Sequence, residues 1–265
     1  MVGESLTKSQ ITILVNDIIK KYNLEYPLDL LPFISILGFE IKYVDTGTSD
    51  AYTIIYKGQK VILLNKATRL RTRINFTLAH ELGHYFIPHH LESLYACNVN
   101  EIISSANLNN HTEEREADIF ASELLLPHKI IDKKSNIRGF DDILKIAEQF
   151  NTSIPSTAIK MIEHSYNSVC FICCKNRKIQ WFAASSAFKE YFRLNDIIGS
   201  PVPDSSLFGT CLEKNLNTYK GKVPAFTWIE NTDTDSFIYE EVQYYPKYNT
   251  GYILIMADNL ADLEG

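Results

Sequence analysis

Apolar residues at Ile11, Leu14, Val15, Ile18 and Ile19 recur at three- and four-residue steps, which predicts an amphipathic helix over 6–22. Short strands follow in "FEIKYVD" (39–45), "AYTIIYK" (51–57) and "KVILLN" (60–65), with "KGQ" as a tight turn between the last two. Helical character returns in "FTLAHELGHYF" (76–86). A polar stretch over 89–112 has little periodicity and reads mainly as loop, and a strong helix then runs over 113–126 and stops at Pro127. Two short helical patterns come next, "FDDILKIAEQF" and "PSTAIKMIEHS", joined by "NTSI", with Pro155 suited to a helix start. From about Ser168 the chain turns to β-branched and aromatic residues. "SVCFICCKNRKIQWFAAS" predicts a hairpin turning at "KNRK", "FIYEEVQYYPKYNTGYILIMAD" a second one turning near "KYNTG", and a short helix over 187–193 lies between them. The fold class is therefore α+β in three sections: a mixed domain with a small sheet over 1–130, helices over 131–166, and an antiparallel sheet with helices over 167–265.

Composition narrows the function classes. The chain has 265 residues, 45% hydrophobic and 22% charged, which is ample for a buried core. A net charge of -6 gives no overall electrostatic drive toward nucleic acid or an anionic membrane. No apolar run approaches the roughly 18 residues of a spanning helix. The opening "MVGESLTKSQITILVNDIIKKYN" lacks the basic, unbroken apolar and small-residue regions of a signal peptide, so a cytoplasmic location with no membrane partner is expected. The five cysteines, Cys97, Cys170, Cys173, Cys174 and Cys211, are odd in number and expected to be reduced. "CFICC" is better read as buried strand cysteines than as a metal site, because Cys170 and Cys173 fall on opposite faces and no second pair exists.

The chemistry concentrates in "FTLAHELGHYF". On a helix His80 and His84 are separated by about 400° of turn, so both imidazoles leave one face one turn apart and can reach one zinc ion. Glu81 sits about 100° round from His80, beside such an ion, where it can accept a proton from water. Two satisfied surface histidines would give the same letters. A catalytic zinc also wants a third protein ligand. "EEREADIFASELLLP" offers Glu114, with Asp118 one turn on to hold the far nitrogen of a zinc histidine. A solvated acidic face is the alternative, since Glu113, Glu114 and Glu116 cluster. Ala117 and Ala121 count against it, because small residues suit close helix packing.

"FTLAHELGHYF" followed by "EREADIFASELLLP", with "VILLNKATRLRTRINFTLAHELGH" upstream, resembles the ImmA/IrrE family of zinc metallopeptidases over roughly residues 10–130. The resemblance implies a zincin-like peptidase domain whose HExxH helix carries metal ligands His80 and His84. It also implies Glu114 as third ligand, Glu81 as general base and Asp118 as the partner of a zinc histidine, with Zn2+ as the cofactor. Glu116 is the competing third ligand. A further histidine that family members often carry falls here at Pro88, with His89 and His90 just after. His111, His89, His90 and Tyr95 are the candidate donors to an oxyanion. An extended substrate could add to a sheet edge, most simply along "KVILLN". Longer members of the family append a helix-turn-helix-like middle section and a GAF-like C-terminal domain, matching 131–166 and 167–265. The implied function is a limited cut in a partner helix-turn-helix repressor of the XRE/Cro type, relieving repression in stress responses or mobile elements. Two alternatives belong to other classes. One is a DNA-binding regulator, disfavoured because Lys160 is the only basic reader on the candidate recognition helix, opposed by Glu163. The other is a sensor whose C-terminal domain binds a small ligand or protein, or a dimerising unit in its place.

Overall fold

The computed structural model describes residues 5–91, 111–132, 136–191, 194, 197–230, 232 and 235–257. Tyr95, Cys97 and most of the polar stretch expected over 89–112 lie outside them. The chain divides into two compact units, Met1–Pro127 with Ala147–Ser153, and His128–Ile146 with Ile154–Gly265.

In the first unit, helix α1 (Lys8–Tyr22) starts at a capping box in which Thr7 and Gln10 exchange bonds, and it buries Ile11, Val15 and Ile18. Helix α2 (Leu30–Ile36), absent from the sequence expectations, is capped by the Asp29 side chain. Its Pro32 is tolerated because the first turn has no intrahelical partner for that N–H. Strands β1 (Phe39–Val44), β2 (Ala51–Tyr56) and β3 (Gln59–Asn65) form a sheet in the order β1-β3-β2, with β1 parallel and β2 antiparallel to β3. Lys57 and Gly58 make the β2–β3 turn with positive φ at both positions, the geometry that matches hairpin twist. Because β3 is the central strand, paired on both sides, the expectation that a substrate adds along "KVILLN" does not hold. The open edges belong to β1 and β2.

Helix α3 (Arg71–Phe86) and helix α4 (His111–Leu125) pack into the core with α1, α2 and the sheet, through Leu78, Leu82, Phe120, Ala121 and Leu124. They approach closely at Gly83, where a Cβ would stand 3.0 Å from the Ala117 backbone. Sequence periodicity located both helices because their buried stripes are continuous.

The second unit holds a five-stranded sheet, antiparallel throughout, in the order β5-β4-β8-β7-β6: β4 (Val169–Lys175), β5 (Lys178–Ala184), β6 (Thr218–Pro224), β7 (Phe237–Tyr245) and β8 (Thr250–Met256). Asn176 and Arg177 turn the first hairpin with positive φ. Helices α5 (His128–Ile131), α6 (Phe140–Phe150), α7 (Ile154–Glu163), α8 (Ser186–Tyr191) and α9 (Leu207–Glu213) complete the described helices. Lys160, the lone basic reader of the candidate recognition helix, is buried. A lysine held inside cannot contact a phosphate or a base edge, which further disfavours reading α7 as a DNA helix. Cys170, Cys173, Cys174 and Cys211 are free and buried, and burial pushes each thiol up in pKa, Cys173 and Cys211 to about 11. Such thiols are poor nucleophiles and poor ligands. No described helix is long and apolar enough to cross a membrane.

Candidate metal centre

Helix α3 presents His80 and His84 on one face, and α4 presents Glu114 opposite them. His80 Nε2 lies 3.2 Å from His84 Nε2 and 3.2 Å from Glu114 Oε2, and His84 Nε2 lies 3.6 Å from Glu114 Oε1. Ligands at about 2.0–2.1 Å from a tetrahedral centre stand about 3.3 Å from one another, so the two imidazole nitrogens and the Glu114 carboxylate are spaced to share one ion. Both imidazoles are mostly buried, whereas the Glu114 side chain is 54% exposed, which keeps one side of the site open to water.

The electrostatics favour a cation here. Burial opposes a proton on His80, but bonds to Asp118 and Glu114 and the charges of Glu81 and Asp118 outweigh it, and its pKa is pushed up to about 10. Burial and the neighbouring His80 hold His84 down to about 4. Glu114 is held below the ordinary carboxylate range, chiefly by its bond to His80. One imidazole neutral with a lone pair, one carboxylate ionised and a second imidazole that holds positive charge form a set that a divalent ion can occupy in place of the proton. His80 Nδ1 lies 2.9 Å from Asp118 Oδ1, and this contact turns Nε2 toward His84 and Glu114.

Glu81 lies on the buried side of α3. The Thr53 hydroxyl on β2 donates to its Oε2 across 2.6 Å, a partner that nothing local marks, since a threonine in a strand is ordinary. Burial raises the pKa of Glu81, opposed by hydrogen bonds from Thr53 and by the charge of His80. A carboxylate so placed exchanges a proton more readily near neutrality than one in water does.

Glu116, the competing third ligand, is spent elsewhere. Its Oε1 accepts from the Ser5 hydroxyl at 2.6 Å and the Leu6 amide at 2.7 Å. Its Oε2 lies 2.7 Å from His89 Nε2 and 2.9 Å from His90 Nε2. Both histidines follow α3 in the 3-10 turn Pro88–His90; His90 Nε2 is hydrogen-bonded to Glu116 Oε2, whereas His89 Nε2 lies near that oxygen without hydrogen-bond geometry. Of the oxyanion candidates, His111 stands exposed at the start of α4 and Tyr95 is outside the described residues.

Residues 35–161 match the family model described as Peptidase_M78, IrrE N-terminal-like domain. An 82-residue stretch is 35% identical to Metallopeptidase ImmA of Bacillus subtilis (strain 168), spanning 31% of this chain and 43% of that protein. A solved Mycobacterium tuberculosis transcriptional regulator superposes with a TM-score of 0.58 over 97% of this chain and 78% of its own, at 10% identity, which speaks to the fold alone. The family match covers the small sheet, both helices and the His–Glu set, so segment 35–161 is similar to the ImmA/IrrE metallopeptidase family.

Proposed function

We propose that this chain is a zinc-dependent metalloendopeptidase that makes a limited cut in a partner helix-turn-helix repressor and so relieves repression. The reading is carried by one observation: the Nε2 atoms of His80 and His84 and the two carboxylate oxygens of Glu114 converge at 3.2–3.6 Å, with the Glu81 carboxylate buried beside them. Two imidazoles, one carboxylate and an open side suit zinc. When bound, the ion would polarise the scissile carbonyl and lower the pKa of water at the site.

The chain's own groups carry the rest. Glu81 takes the proton of the attacking water and passes it to the departing amine. Asp118 fixes the His80 ring. The free edge of β2, the strand whose Thr53 touches Glu81, is the place where an extended substrate can pair its backbone beside the base. The all-antiparallel sheet of the second unit supports a GAF-like domain that adds docking surface, so that contacts remote from the scissile bond orient the partner.

The test is incubation with the helix-turn-helix repressors encoded beside this chain's gene, with and without a zinc chelator. One discrete cut is expected, lost on chelation. Glu81→Gln should keep the metal and slow cleavage about a hundredfold to ten-thousandfold. A cut that survives chelation, or a Glu81→Gln protein that cuts at the original rate, would refute the assignment.

A further inference from the structure

We propose that Thr53 is the positioning residue for Glu81: its hydroxyl, reaching from the edge strand β2, fixes the orientation in which the carboxylate meets water. The inference rests on the peptidase reading above and adds a residue to it. A helix sets only where the Glu81 backbone lies; the carboxylate stands three torsions further out and can turn. General-base efficiency depends on placement within a fraction of an ångström, so something must hold it.

Three observations assign that task to Thr53. The donor is close, at 2.6 Å, and both side chains are inside, Thr53 at 7% and Glu81 at 7% exposure, so water does not compete well for the bond. Threonine is β-branched, and on a strand its χ1 is restricted, which makes the hydroxyl a rigid donor rather than a swinging one. The strand itself is tied to the helix a second time: Asp50, just before β2, receives a two-pronged bond from Arg73 in the first turn of α3, at 2.7–3.1 Å. The pairing of Thr53 with Ile62 in β3 fixes the remaining freedom of the strand. The hydroxyl therefore takes one named oxygen, Oε2, and the carboxylate cannot rotate without losing its bond. Removing the donor leaves a buried oxygen that gains by turning toward His80 or toward an ion, away from the water it should deprotonate.

The test compares wild type, Thr53→Val and Thr53→Ser as zinc-loaded full-length proteins, with a helix-turn-helix repressor encoded beside this chain as the probe. Thr53→Val, nearly isosteric, should keep its zinc and lower kcat about tenfold to a hundredfold with KM within about twofold. Thr53→Ser should recover most of the loss, because it restores the O–H. Full kcat in Thr53→Val, or equal loss in Thr53→Ser, would overturn the inference. A second measurement needs no substrate. Urea unfolding of the metal-free wild type, Thr53→Val, Glu81→Ala and the double variant should show the two losses falling short of additive. Strict additivity would also overturn it. Should wild type leave every repressor uncut, the peptidase reading fails, and the unfolding cycle alone still decides whether Thr53 holds Glu81.

Discussion

His80, His84 and Glu114 on one side, and His89, His90 and Glu116 on the other, are each two histidines and a glutamate, supplied by α3 or the 3-10 turn after it and by α4. Both sets qualify as groups that could hold a metal ion. In the first, donor atoms stand 3.2–3.6 Å apart, which is ion-sharing distance. In the second, His89 Nε2 and His90 Nε2 stand 2.7 and 2.9 Å from Glu116 Oε2, closer than ligands around one ion, and His90 hydrogen-bonds that oxygen. The glutamates differ in the same way. Glu114 is half in solvent with its oxygens on the histidines, whereas Glu116 is 3% exposed and its second oxygen is filled by Ser5 and Leu6. Residue type does not distinguish a ligand set from a clamp. Spacing does, together with what each carboxylate's other oxygen is already doing.

The comparison breaks most decisively at His84. His84→Ala should drop bound zinc from about one ion per chain to near zero, because two ligands hold zinc poorly, whereas His90→Ala should keep its ion. Metal analysis after dialysis reads both, and equal loss in the two would erase the distinction between the sets. Gly83→Val sharpens it from the other direction. A Cβ there already meets the Ala117 backbone at 3.0 Å, so a valine must push α3 and α4 apart and carry Glu114 away from the histidines. The expected result is about 1–3 kcal/mol of lost stability in urea together with weaker zinc binding in a chelator competition. Unchanged zinc affinity would show that the helix spacing is not what sets the site. Glu116→Gln should give the smallest effect of the three on the metal and a cost of about 1–3 kcal/mol on stability, since an amide meets the same buried donors without the charge. Loss of zinc in this variant would make Glu116 a ligand after all.

Much of the site was legible in the sequence because it obeys one rule, helical spacing. His80 with His84, and Glu114 with Asp118, are each four apart, and the structure brings all four together. What the sequence could not show are partners joined only through the fold. Thr53 is 28 residues from Glu81, and Ser5 and Leu6 are more than a hundred from Glu116; nothing local marks either pair. The missed elements have physical reasons too. Helix α2 is seven residues with an internal proline, and edge strand β6, "TYKGKVP", carries Gly221 and Pro224 where strand patterns do not expect them. The β3 edge was misjudged because its apolar run marks a central strand, buried by neighbours on both sides. Lys160 shows the same limit from the opposite side: nothing local marks that the packing turns this basic residue of an amphipathic helix inward.

The bonds from Ser5 and Leu6 to Glu116 carry a practical consequence for anyone handling the protein. They make Ser5 and Leu6 part of the wall behind the metal helices, although those residues are far away in sequence. Trimming an expressed fragment to begin at the α1 cap would strip a buried carboxylate of two of its donors. A bulky affinity tag fused directly before Ser5 would crowd the same place. Start sites for recombinant work belong upstream of Ser5, with a flexible spacer, and a preparation nicked by trypsin-like contaminants after Lys8 should lose thermal stability before it shows any change in mass on a denaturing gel at low resolution.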